Sequence, residues 1–324
     1  MLDDTAIYLK GIYLMPQPAL TELSSILDFI RWGASHFRAA ELSFSHGMSS
    51  ALDEAAYLVL HTLHLPVDTP ELYFASQLTK QEKTKVLDIL ERRIIERKPA
   101  AYLTHEAWFA GLPFYVDERV LVPRSPIAEL VEKQFYPWID ENQVNHVLDL
   151  CTGSGCIGIA CAYAFPHAEI DLSDISANAI AVAKTNIERH KVQAHVAAVQ
   201  SDLFAHLTNK RYDLIVSNPP YVDAAEIAEM STEFQHEPIL GLAAGHDGLE
   251  IAQRILATAR GHLTDHGILI VEVGNSQFAL AEAYPTVDFQ WLEFERGGDG
   301  IFLLTAAQLD EHAKLFKAAA PKPL

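Results

Sequence analysis

The sequence predicts an α/β chain in which a Rossmann-like, doubly wound sheet follows a small helical domain and a β-hairpin. Three observations predict it. Apolar residues recur at helical spacing up to about residue 104, short buried runs alternate with helices of ten to fifteen residues after Asn145, and the first of those runs ends in a glycine-rich turn. The chain divides accordingly into a helical domain 1–104, a hairpin linker 105–122, the sheet domain 123–310 and a C-terminal tail 311–324.

In the helical domain, Leu23, Ile26, Leu27 and Ile30 mark one helix, with Trp32 close behind. Ala55, Leu58, Val59 and Thr62 mark a second, and Leu87, Leu90, Ile94 and Ile95 a third that ends near Lys98-Pro99. Nothing here carries chemistry, so scaffolding or partner recognition is expected. The segment AWFAGLPFYVDERVLVPR has aromatic and branched residues around Gly111-Leu112-Pro113, which predicts a hairpin, and a helix follows from Ile127 to Phe135. Then come the strand VNHVLDL, the helix CIGIACAYAF, the strand AEIDLSD, the helix ANAIAVAKTNIERH and the strands AHVAAVQSD and YDLIVSN. The helix LEIAQRILATARGHL, the strand GILIVEVG and a closing antiparallel hairpin, VDFQWLEFERGGDGIFLLT, complete the pattern.

With 49% hydrophobic and 21% charged residues among 324, the chain is of folded, globular type rather than disordered. Its formal net charge of −19 repels phosphates and favours basic partners, so direct nucleic-acid binding is not expected. The three cysteines, Cys151, Cys156 and Cys161, lie in one short stretch without a CxxC, and are read as small buried side chains in a reducing compartment. His61 and His64 are a helical pair without a third ligand, so no metal is expected. MLDDTAIYLK lacks the basic start and apolar run of a signal peptide, and no apolar segment is long enough to span a bilayer. A cytoplasmic location without a membrane partner is expected.

The first strand of the sheet domain ends in Asp149-Leu150-Cys151-Thr152-Gly153-Ser154-Gly155 and runs straight into a helix. Glycines there let backbone turn tightly and approach a ligand. The second strand ends at Asp174, and 174 − 155 = 19 residues separate it from Gly155. A carboxylate in that place accepts hydrogen bonds from the hydroxyls of an adenosine ribose. Asp202, at the end of the third strand, is placed to meet an adenine amino group, and Leu203 to cover the ring. Gly153-Ser154-Gly155-Cys156-Ile157-Gly158 also fits the G-x-G-x-x-G of NAD binders, so this turn alone does not choose the cofactor.

Asn218-Pro219-Pro220-Tyr221 follows a buried strand directly. Two prolines fix φ and remove N–H donors, leaving a stiff loop with free carbonyls, and the Asn218 side chain adds another acceptor. Two acceptors at a fixed angle suit a planar –NH2 group, and the Tyr221 ring can stack on it. An amide or aryl amino nitrogen is a poor nucleophile because its lone pair is delocalised. Accepting from both of its N–H bonds returns electron density to nitrogen, which predicts methyl transfer from S-adenosylmethionine.

DLCTGSG, the acid at Asp174 and SNPPYVD resemble the protein glutamine-N(5) methyltransferases that modify release factors and a ribosomal protein. The likeness takes in nearly the whole chain, including LPFYVDERVLVPR, EPILGLAAGHDGLEIAQRIL, ILIVEVGNSQ and ERGGDGIF. It implies a seven-stranded class I methyltransferase fold, S-adenosylmethionine as donor, S-adenosylhomocysteine as product and a glutamine amide as acceptor. By resemblance, Asp149, Cys151, Thr152, Gly153, Ser154, Gly155, Asp174, Leu203 and Asn218 touch the cofactor. Asn218, Pro219, Pro220 and Tyr221 hold the glutamine, with Asn218, Pro219 and Tyr221 carrying catalysis. Release-factor enzymes typically have Arg-Pro-Asp/Glu after the hairpin; Arg124-Ser125-Pro126-Ile127-Ala128-Glu129 resembles instead the branch acting on the third large-subunit ribosomal protein. A basic ribosomal protein is therefore the expected partner, with a release factor as the alternative. Cys151 stands where the family's turn has a glycine, so it must hold an ordinary φ or tolerate a strained one. The competing classes are an adenine amino methyltransferase, an NAD-dependent oxidoreductase, which leaves the Asn218–Tyr221 loop without a role, and a non-catalytic interaction protein.

Overall fold

A computed structural model describes residues 18–321 other than residue 246. The N-terminal segment MLDDTAIYLK, without the features of a signal peptide, one position of the EPILGLAAGHDG stretch and the last three residues of the tail lie outside the described residues.

The chain divides into two compact units, 1–105 with 231–236, and 106–230 with 237–324. In the first, helices Ile26–Ala39, Ala51–Thr62 and Lys80–Glu96 pack around Phe29, Phe37, Leu58 and Leu90. Each begins where a hydroxyl side chain accepts from the first helical turn. Ser25 accepts from Asp28 N, Ser50 from Asp53 N and Thr79 from Glu82 N. The predicted stripe is not wholly inward, since Leu27 and Ile95 are exposed. A buried charge cluster lies in this unit. Arg93 donates from Nε to Glu54 Oε1 at 2.6 Å and from Nη2 to the Ser43 carbonyl at 2.8 Å, and its Nη1 is 3.6 Å from Glu233 Oε1. Arg97 reaches the same Glu233 oxygen at 3.0 Å, and Ser43 N donates to it at 3.2 Å.

In the second unit, β1 (Glu106–Phe109) and β2 (Leu112–Tyr115) form the antiparallel hairpin. It is no free linker: Phe109 and Phe114 are buried in the core on one face of the large sheet. That sheet contains β3 (His146–Leu150), β4 (Glu169–Asp174), β5 (Val196–Gln200), β6 (Tyr212–Ser217), β7 (Leu263–Glu272), β8 (Gln290–Trp291) and β9 (Ile301–Thr305). The strand order is β5-β4-β3-β6-β7-β9-β8. All neighbours run parallel except β9, which is antiparallel to both β7 and β8. This is the seven-stranded Rossmann-like sheet expected. Period-two alternation sends Val147, Leu214, Val216, Ile268 and Ile270 to one core, with the helix Cys156–Ala164. It sends Leu148, Leu150, Ile215, Leu269 and Val271 to the other, with the helix Glu250–Thr258. Residues Ala313–Ala319, in the stretch set apart as a tail, form a helix whose Phe316 is buried in that second core. β7 starts at Leu263, earlier than the expected Gly267, because Leu263 pairs with Tyr212, and the register shifts before the regular pairing resumes at Leu214 and Ile268.

Candidate active site

The strand order reverses between β3 and β6, where open α/β sheets form a crevice at the strand carboxyl ends. Leu150 is in register with Ser217 on one side and Ser173 on the other, and Asp174 with Gln200. The turn beginning at Cys151, the acid Asp174, the Ser201-Asp202 corner and the loop beginning at Asn218 therefore leave the sheet at one edge.

In the turn, Asp149 is buried, and its Oδ2 accepts from Thr152 Oγ1 at 2.5 Å and Gly158 N at 2.8 Å. Burial pushes its pKa up to about 7 despite these donors, and Asp174 adds to the rise. Its Oδ1 is buried with no hydrogen-bond partner among the described residues, the kind of group that suits the ammonium of an amino-acid ligand. Gly155 caps the helix with φ +84°, and Gly158 lies so close to the strand that a Cβ there would be 2.1 Å from Leu172 Cδ2. That contact gives the third glycine of the pattern a packing role. Asn186 donates to the Ser154 and Tyr115 carbonyls and accepts from Tyr115 N, tying the turn to the hairpin. Cys151 takes the strained alternative, with φ +60°, a conformation costing a non-glycine residue about 1–2 kcal/mol. Leu203, at φ +47°, is a second such residue at this edge. All three cysteines are free thiols, and burial raises each pKa, that of Cys156 to about 12, so none is a reactive thiolate.

Asp174 accepts from Gly153 N at 2.9 Å through Oδ2 and from Ser176 N at 2.8 Å through Oδ1. Burial raises its pKa, with those donors opposing. Asp202 holds Arg254 through both oxygens, at 2.8 and 2.7 Å, which leaves it acceptor capacity toward an amino group.

The loop after β6 has Pro219 buried and Asn218, Pro220 and Tyr221 half-buried. Ser217 at its base donates to the Leu150 carbonyl at 2.6 Å. The Asn218 amide makes no hydrogen bond among the described residues, so its oxygen is free to accept. Tyr221 is anchored on every side. Its hydroxyl donates to Glu272 Oε1 at 3.1 Å, its carbonyl accepts from Ser276 Oγ at 3.0 Å, and a Cβ at Gly274 would be 2.6 Å from its Cε2.

Sequence reasoning missed Arg254, Asn186, Ser125 and Glu272. Glu272 did carry a signal, being the lone charge in the apolar run ILIVEVG, whereas Arg254 sits on an ordinary amphipathic helix. Among the described residues there is no group of three or more potential metal ligands and no helix long and apolar enough to cross a membrane.

The sequence profile of the methyltransferase small domain family matches residues 133–237. A Francisella tularensis protein named ribosomal protein uL3 glutamine methyltransferase is 48% identical over 302 residues, covering 93% of this chain and 96% of its own. A Xylella fastidiosa protein of the same name is 49% identical over 307 residues, covering 94% and 98%. Among solved structures, a 16S ribosomal RNA methyltransferase of T. thermophilus aligns over 62% of this chain and 49% of its own, at 19% identity and a TM-score of 0.42. Identity near one half along nearly the full length of two relatives, on a fold and site of this kind, places the chain: it belongs to the ribosomal protein uL3 glutamine methyltransferase family.

Proposed function

We propose that the chain transfers a methyl group from S-adenosylmethionine to the side-chain amide nitrogen of a glutamine in ribosomal protein uL3. The observation that carries this is the register of β3 and β6, which sets the glycine turn and the Asn218–Tyr221 loop side by side. The bound donor supplies an electrophilic methyl group. Around it, Asp149 offers a carboxylate oxygen to the amino-acid end, Asp174 accepts from the ribose hydroxyls, and Asp202 and Leu203 meet the adenine, while the backbone of Cys151, Thr152, Gly153, Ser154 and Gly155 approaches closely. Asn218 and Pro219 accept from the two N–H bonds of the glutamine amide, Pro220 stiffens the loop and the Tyr221 ring covers the flat group. Holding the nitrogen in line removes rotational freedom before reaction, an effect worth up to about 7–11 kcal/mol in well-oriented systems. Ribosomal proteins are generally basic, and a net charge of −19 complements such a substrate.

The deciding experiment is a labelled-methyl assay of the purified protein with uL3, release factors and DNA, followed by mass spectrometry. Label on a glutamine of uL3 is the expected result. Label confined to a release factor or to adenine overturns the substrate, and binding of NAD in preference to S-adenosylmethionine overturns the enzyme class.

Two variants probe the halves of the site. Asp174→Ala is expected to weaken S-adenosylmethionine binding by about 1.5–3 kcal/mol through loss of a charged acceptor. The ionised carboxylate is the better acceptor, and burial raises its folded pKa. Wild-type affinity should therefore weaken as pH falls through that raised value, starting above the ordinary aspartate value of about 3.9. Calorimetry across pH checks both; unchanged affinity in the variant removes Asp174 from the site. Gly274→Ala is expected to push the Tyr221 ring aside and lower turnover about 10–100-fold, the scale of an ångström-sized misplacement. Steady-state rates beside a melting curve separate that loss from unfolding.

A further inference from the structure

Glu272 is the last residue of β7 and is almost fully buried. One carboxylate oxygen accepts from the Tyr221 hydroxyl at 3.1 Å, and the other accepts from Ser125 Oγ at 2.5 Å. Ser125 is itself held, its Oγ accepting from Ile127 N at 3.1 Å. The nearby cation, Arg124, is committed to Glu237 through two hydrogen bonds of 2.6 and 2.8 Å. Glu272 is thus left with hydroxyl donors alone. Such a group is costly to bury, and nothing in the β7 core needs a carboxylate, since Ile268 and Ile270, which precede it on the same face of the strand, are apolar and buried.

We infer that Glu272, fixed by Ser125, is a positioning residue for methyl transfer, locking the far end of the Tyr221 ring so that it lies at one angle over the acceptor amide. This rests on the glutamine reading above. A ring attached only at Cβ swings about χ1, whereas one held at its hydroxyl by Glu272 and packed along Cδ2 and Cε2 against Gly274 does not. Burial raises the pKa of Glu272, with Ser125 and Tyr221 opposing, which fits a group that acts through hydrogen bonds rather than through its charge.

The test is a double-mutant cycle on the full chain. Glu272→Ala and Tyr221→Phe are each expected to lower kcat about 10–100-fold, the double variant is expected to be no worse than either, and donor affinity should hold. Glu272→Gln keeps an acceptor for Tyr221 and a donor for Ser125, so it should recover most of the loss. Additive losses in the cycle overturn the inference, and so does a Glu272→Gln variant as slow as Glu272→Ala, which would assign the role to the charge. Should Glu272→Ala fail to fold, Ser125→Ala takes its place in the cycle. The χ1 rotamer distribution of Tyr221, read by NMR from the couplings to its Cβ protons in 13C-tyrosine protein, gives a readout independent of activity: one rotamer in the wild type and averaging in Glu272→Ala supports locking, and equal distributions overturn it. Absence of methyl transfer to any glutamine by the wild type would defeat the glutamine reading, while the ring measurement would still decide the inference.

Discussion

Asn218→Ala is expected to lower kcat for methyl transfer by about 10²–10³-fold, the effect of removing one preorganised hydrogen-bonding group aimed at developing charge. Positive charge builds on the amide nitrogen as it takes the methyl group, so its N–H bonds become stronger donors than in the free amide. An acceptor fixed by Pro219 and by the Ser217–Leu150 hydrogen bond is therefore worth more in the transition state than in the bound ground state. The loss should fall on kcat rather than KM. Asn218→Asp keeps an acceptor at the same place and should lose less. Single-turnover label transfer gives the rate, and an unchanged melting curve shows the loop's base intact. A wild-type rate in Asn218→Ala would remove the side-chain acceptor from the mechanism.

The parts of this site that were legible in the sequence are those fixed by local chemistry. Glycines at 153, 155 and 158 announce close backbone approach, and two of them do hold positive φ while the third packs on Leu172. A double proline after an apolar strand announces a stiff loop. Strand type could be read because parallel strands covered on both faces form continuous apolar runs. What was not legible depends on which strands are neighbours. Nothing local says that Ser217 pairs with Val271, yet that register brings Glu272 beside the acceptor loop. Arg254 is 52 residues from Asp202, and only the fold joins them. Leu27 and Ile95 misled because helical spacing reports a face, not how wide the covered part is. Cys151 shows the limit from the other side: its residue type argues against a left-handed backbone, and the surrounding turn imposes one.

Arg93→Met should destabilise the helical unit by about 3–5 kcal/mol, because removing one partner of a buried ion pair strands the other. The Arg93, Glu54 and Glu233 side chains are 0%, 2% and 0% exposed, so water cannot take over. Two positive and two negative groups balance in the cluster, and Arg97, at 29% exposed, is too solvated to replace the central guanidinium. Burial already raises the pKa of Glu54, and Arg93 is what opposes that rise. Without Arg93 the folded pKa of Glu54 climbs further above its unfolded value of about 4.3. A carboxyl raised in the folded state binds its proton there first, so the deficit should grow as pH rises through the raised value and shrink as pH falls below it. Replacing the charge pair together, as Glu54→Leu with Arg93→Met, should cost less than Arg93→Met alone, since no charge is then left facing the vacated place. Two compact units need not unfold in one step, so hydrogen exchange of the Ala51–Thr62 and Lys80–Glu96 amides, compared at pH 5 and 8, is the measurement of choice. Exchange rates in Arg93→Met equal to wild type at both pH values would mean that the cluster holds no net stability and that Arg97 compensates after all.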